Sequence, residues 1–138
     1  MTRAIGVGGV FLRATDPETL YAWYEEHLGI KRTDDGAFAF FSEGPREMTV
    51  FAFFPKDTEY FGPGKQQVMV NLRVDDLDAV LENLRAAGAD IDPKREDHEY
   101  GRFAWFSDPE GNRVELWQSP DLKKPPIPGR PFIIARAN

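Results

Sequence analysis

With 138 residues, 41% of them hydrophobic and 13% aromatic, the chain is long and apolar enough for one globular domain with its own core. A formal charge of −6 and the lack of a basic run with interleaved aromatics argue against a nucleic-acid partner. With no cysteine, disulfides, thiolate catalysis and cysteine-ligated zinc are excluded. No run approaches the ~20 apolar residues of a membrane span. The mildly apolar residues 4–12 end at Arg13 with no small-residue cleavage site after them, so they do not read as a signal peptide. A soluble, cytoplasmic protein with no membrane partner is the expectation.

In chain order, Gly8 to Ala14 reads as a strand. Asp16-Pro17 starts a helix, Asp as N-cap and Pro at the first helical position. The helix runs to Leu28, with Leu20, Trp23, Tyr24, His27 and Leu28 on one face, and Gly29 ends it. Ala37–Phe41 and Met48–Phe54 are aromatic-rich strands joined by Ser-Glu-Gly-Pro. Residues 57–66, with Tyr60-Phe61-Gly-Pro-Gly64, form a linker. Then comes a strand from Val68 to Val74 and a helix capped by Asp75-Asp76, with Leu77, Val80, Leu81 and Leu84 on one face, ended by Gly88. A polar loop spans Asp92 to Gly101. Arg102–Phe106 and Arg113–Trp117 then form a hairpin around the five-residue turn Asp108-Pro-Glu-Gly-Asn112.

The second half repeats the first. A shift of sixty residues lays Val70 on Val10, Leu72 on Leu12, Arg73 on Arg13 and Asp76 on Asp16. Each half reads as βαβββ if a weak strand is allowed around Ile30-Lys-Arg or Ile91. The expected organisation is a single α+β domain: module one at 4–56, linker 57–66, module two at 67–120 and a tail at 121–138. The tail holds prolines and then Pro131-Phe-Ile-Ile-Ala135, which suits packing on a neighbouring subunit or fraying.

Strand alternation assigns faces. Val70, Leu72 and Val74, with Val114 and Leu116, belong to the helix side. Phe11, Arg13, Met69, Asn71, Arg73, Arg113, Glu115 and Trp117 face the other way. If Ser107 pairs with Arg113, Trp105 lies opposite Glu115 and Phe103 opposite Trp117. The second face then forms a polar-aromatic cup suited to a small molecule. Glu115 stands out as a lone acid in an apolar strand. Three roles are open to it: a metal ligand, a ligand contact or general acid/base, or a structural acid bonded to Arg13, Arg73 or Arg113. Arg73 and Asn71 suit an anionic or polar ligand, or a salt bridge with Glu115. His27 reads as packing and capping at a helix C-terminus. His98 reads as solvated, with an alternative in which it and Tyr100 reach over the cup mouth. Tyr60-Phe61 either lids the cup or packs the linker.

The repeat, the segment Trp23-Tyr-Glu-Glu-His-Leu-Gly29 and above all Phe106-Ser-Asp-Pro-Glu-Gly-Asn-Arg-Val-Glu-Leu-Trp117 resemble the vicinal oxygen chelate superfamily. That superfamily includes glyoxalase I, bleomycin-resistance proteins and extradiol dioxygenases. The resemblance covers the chain to about residue 120. It implies paired βαβββ modules in a curved, cup-shaped mixed sheet with the helices outside. In the family's metalloenzymes, first and last strands of both modules hold a divalent metal. The matching positions here are Gly9, Val50 or Phe51, Met69 and Glu115, of which Glu115 alone is a usual ligand; Met thioether suits such ions poorly. The resemblance therefore implies a small-molecule-binding protein of the glyoxalase/bleomycin-resistance type, with no cofactor expected and Glu115 as its catalytic candidate if it is an enzyme. The alternative is a metal-dependent lyase, isomerase or dioxygenase. A homodimer is expected by resemblance.

Overall fold

A computed structural model describes residues 2–41 and 48–120. In chain order the elements are β1 (Ala4–Ala14), α1 (Pro17–Leu28), β2 (Phe38–Phe41), β3 (Met48–Pro55), β4 (Val68–Val74), α2 (Leu77–Ala86), β5 (Asp90–His98), β6 (Gly101–Ser107) and β7 (Arg113–Gln118). The strands make one seven-stranded mixed sheet in the order β2-β3-β1-β4-β7-β6-β5. Both helices pack on one face, α1 over Leu12, Phe38, Phe51 and Phe53, α2 over Leu72, Val74, Ala104 and Leu116. The fold class is the α+β sheet anticipated from the chain.

The helix starts follow from local chemistry. Asp16 Oδ1 accepts from the Thr19 N–H at 3.2 Å, and Asp76 Oδ1 from the Ala79 N–H at 3.2 Å. Gly29 takes the left-handed conformation (φ 67°) and its N–H closes α1 on the Glu25 carbonyl. The repeat becomes a pseudo-twofold relation: β1 and β4 run antiparallel with Val10 opposite Val70, the same pair related by the sixty-residue shift. The parallel pair β1·β3 mirrors the parallel pair β4·β7.

Several expectations change. β1 begins at Ala4, not Gly8, and most of the stretch expected as a polar loop, Asp92–Gly101, is strand β5. It pairs antiparallel with β6, and its polar residues find partners on both faces, Arg95 bonding Asp78 of α2 at 2.7 Å. The weak strand of the first half shrinks to one bridge, Arg32 with Phe38. The buried side of α1 is also different. Trp23 and Leu28 are 52% and 61% exposed, while Tyr21 turns inward and its hydroxyl accepts the Phe53 N–H at 2.8 Å. Aromatics surround α1, so periodicity could not single out the buried arc. The Ser-Glu-Gly-Pro connection and the Pro131–Ala135 segment lie outside the described residues. Among the described residues no helix is long and apolar enough to cross a membrane.

Candidate functional site

The hairpin register is the expected one: Ser107 faces Arg113, Trp105 faces Glu115 and Phe103 faces Trp117. The turn is held by Asp108, whose Oδ1 accepts the N–H groups of Glu110 and Asn112, and by Gly111 at φ 87°. This geometry aims Glu115 from β7 into the inner face of the sheet, where it is 0% exposed. Its Oε1 accepts from Asn71 Nδ2 at 2.6 Å and its Oε2 from Trp105 Nε1 at 2.9 Å. The Tyr60 hydroxyl donates to the same Oε2. Three neutral donors thus gather on one buried carboxylate, from β4, β6 and the linker. Arg13, Arg73 and Arg113, the structural partners considered from the sequence, each donate to backbone carbonyls.

The inner face is largely filled by the protein itself. Phe11, Met69, Trp105 and Trp117, expected to line the cup, are buried together with Met48, Val50, Phe54, Phe61 and Phe103. The linker supplies the filling. Phe61 is fully buried, and Tyr60 stacks on Phe54 with centroids 5.2 Å apart. Two of the expected pocket arginines hold this linker down. Arg13 donates to the carbonyls of Lys56, Thr58 and Gln66, each at 2.8 Å, and lies over the Phe61 ring. Arg113 donates to the Tyr60 carbonyl at 3.2 Å and to Asp92 at 2.9 Å. Tyr60-Phe61 therefore packs the linker and also covers the upper end of the cup, where β1 and β3 finish. Arg13→Ala leaves those carbonyls without their donor. We expect it to cost about 1–3 kcal/mol of local stability, read as faster amide hydrogen exchange across 56–66 with the exchange of β6 unchanged.

The lower end, where β1 and β3 begin and β4 and β7 finish, is arranged differently. Arg73 lies over Trp117, its Cζ 5.5 Å from the ring centroid, and one Nη donates to the Met48 carbonyl. Its Nε is buried and meets no acceptor among the described residues. Trp117 stacks with Phe103 (5.9 Å, 7°), and its Nε1 donates to the Tyr100 carbonyl at 2.9 Å. β5 adds groups that strand-by-strand reasoning left in a loop. Lys94 lies 5.5 Å from the Trp105 centroid and pairs with Glu96 at 3.1 Å. His98 stacks on Tyr100 (4.7 Å, 12°) and lies 6.1 Å from Phe103, with its side chain still 32% exposed. The signal was the spacing of Lys94, Glu96 and His98 by two, which places them on one strand face. His27 sits exposed at the end of α1 beside Trp23 and Glu26, away from the inner face.

A divalent metal does not fit the donors present. Phe51 packs on the helix side, against α1. The register resolves the last-strand position of module one: Asn71 lies beside Glu115 and Phe11 beside Ala52, so the shift that lays Asn71 on Phe11 lays Glu115 on Ala52. The four positions are thus Gly9, Ala52, Met69 and Glu115. Only Glu115 offers a hard oxygen, and both its oxygens already accept hydrogen bonds. Among the described residues no group of three or more His, Asp or Glu side chains is placed to hold a metal ion.

Paired β-α-β units joined edge to edge, with helices outside and polar groups converging on the inner face, define a vicinal-oxygen-chelate-type protein. The chain belongs to the glyoxalase/bleomycin resistance protein/dioxygenase superfamily, whose family model matches residues 6–116. Solved structures agree in fold. A Streptomyces coelicolor methylmalonyl-CoA epimerase variant in complex with 2-nitronate-propionyl-CoA superposes with a TM-score of 0.65 at 12% identity, over 85% of this chain and 99% of that one. The Mycobacterium tuberculosis methylmalonyl-CoA epimerase gives 0.57 at 21% identity, over 87% and 91%. A superfamily member from Vibrio splendidus 12B01 gives 0.54 at 16% identity, over 86% and 100%. At these identities the likeness is one of fold. No curated protein matches the sequence.

Proposed function

We propose that this protein binds a small organic anion at the lower end of its cup, without a catalytic metal, with Arg73 as the anchoring cation. The observation that carries the reading is the Arg73 guanidinium. It is held in place by Trp117 and the Met48 carbonyl, yet its buried Nε has no acceptor among the described residues. A buried charged donor without an acceptor is costly, and an anion supplies what it lacks. Arg13 and Arg113 are engaged with the linker, which turns attention from the upper end to the lower one. The metal-dependent alternative is not favoured, because Gly9, Ala52 and Met69 stand where the family's ligands would be.

The test is a ligand-observed NMR screen of small aliphatic and aromatic carboxylates against wild type and Arg73→Gln. We expect carboxylates to bind the wild type and to bind Arg73→Gln at least about tenfold more weakly, about 1.4 kcal/mol. Equal affinity for both proteins would move the site away from Arg73. A screen with no carboxylate binding the wild type would end the anion-binding reading.

A further inference from the structure

The lower rim carries a second polar group that the Arg73 reading does not use. His98 Nε2 lies 2.9 Å from Glu96 Oε1, with the His98 side chain 32% exposed and that of Glu96 17%. A carboxylate at this distance fixes the tautomer: Nε2 keeps its proton and Nδ1 is left as the free nitrogen. Nδ1 has no partner among the described residues. The ring is further oriented by stacking on Tyr100 and by Phe103, 6.1 Å away. Phe103, Trp117 and Arg73 stand in register on β6, β7 and β4, with Glu96 of the adjacent β5 opposite Phe103 and His98 two residues further along β5, diagonal to Phe103. With strands about 4.8 Å apart and His98 two residues along from the Glu96–Phe103 pair, Arg73 and His98 are separated by on the order of 15 Å.

Resting on the Arg73 reading, we propose that His98 is a second anchor and that the pair selects an elongated, two-ended acid. One carboxylate meets Arg73, and the other accepts a hydrogen bond from His98 Nδ1–H when a proton from solvent has converted the ring to imidazolium. Glu96 offsets the new charge through Nε2–H. A short monoacid reaches only one end. The charged and titratable described groups near His98 are Glu96 with its partner Lys94, Glu99 and Tyr100 in the same hairpin end, and Arg73 beyond Trp117. Asp97 and Arg102 turn to the helix side, where Arg102 bonds Asp78.

The probes are 2-naphthoate and naphthalene-2,6-dicarboxylate, with affinities measured by calorimetry on wild type, His98→Gln and Glu96→Gln. The dicarboxylate should bind wild type at least about tenfold tighter than the monoacid. His98→Gln should erase the ratio while Arg73-dependent binding of 2-naphthoate persists. Glu96→Gln should lower the ratio with the fold intact by circular dichroism. Histidine NMR gives an independent readout, since His27 serves as an internal reference and only His98 should shift with the dicarboxylate. A wild-type ratio near one, or a ratio that survives His98→Gln, overturns the proposal while Arg73-dependent binding of 2-naphthoate stands. Failure of both probes to bind wild type removes this proposal, and the carboxylate screen then decides whether the Arg73 reading falls with it.

Discussion

Glu115→Ala should lose about 3–5 kcal/mol of folding stability. Removing one partner of a buried polar network leaves the others unpaired in a medium without water. Here three donors lose their acceptor at once: the Asn71 amide, the Trp105 indole N–H and the Tyr60 hydroxyl. A cavity is added where a fully buried side chain stood. Urea unfolding followed by tryptophan fluorescence measures the loss. Glu115→Gln separates charge from shape, because it keeps the volume but turns one acceptor into a donor facing donors. It should cost about 1–3 kcal/mol. If Glu115→Ala costs less than about 1 kcal/mol, the carboxylate does not organise the inner face.

Gly8→Ala should destabilise the sheet by driving a Cβ into two buried side chains. A Cβ built at Gly8 comes 2.1 Å from Asn71 Oδ1 and 2.9 Å from Trp117 Cε3. Both neighbours are buried, and Asn71 is fixed by its bond to Glu115, so neither can move aside cheaply. Overpacking of this kind costs about 1–3 kcal/mol, and we expect the upper end of that range. Gly8 is the extra residue where the pairing of β1 with β4 slips between Val7 and Gly9. The bulge brings backbone close to Asn71, a use to which glycine alone is suited. Gly64→Ala is the control: nothing lies within 4 Å of its built Cβ. It should change the urea midpoint by no more than about 0.5 kcal/mol equivalent. Equal costs at Gly8 and Gly64 would show that Asn71 has room to rotate.

Much of this architecture was legible because it rests on short-range chemistry. Asp16 and Asp76 cap helices by bonding residues three positions on, and Asp108 to Asn112 closes its turn within five residues. The repeat exposed the relation between Val10 and Val70, and period-two alternation put Asn71, Trp105 and Glu115 on one face. What was misread has a common cause. Asp92–Gly101 looked like a loop because its residues are polar, yet an edge strand needs apolar residues only where it covers a core. There β6 supplies the pairing, and polar side chains suit an exposed edge. Arg13 and Arg113 were correctly placed on the inner face, but alternation cannot tell whether an arginine meets a ligand or a backbone carbonyl.

The helix starts, the hairpin register and the inward aim of Glu115 were thus set by residue type and spacing along the chain. The occupants of the cup were decided by contacts between residues far apart in sequence. Tyr60 reaches Glu115 fifty-five positions away, and Arg13 holds the linker through carbonyls more than forty positions on. Such pairings depend on how far a linker folds back over a finished sheet. No local periodicity records that distance, because it exists only once both modules have packed.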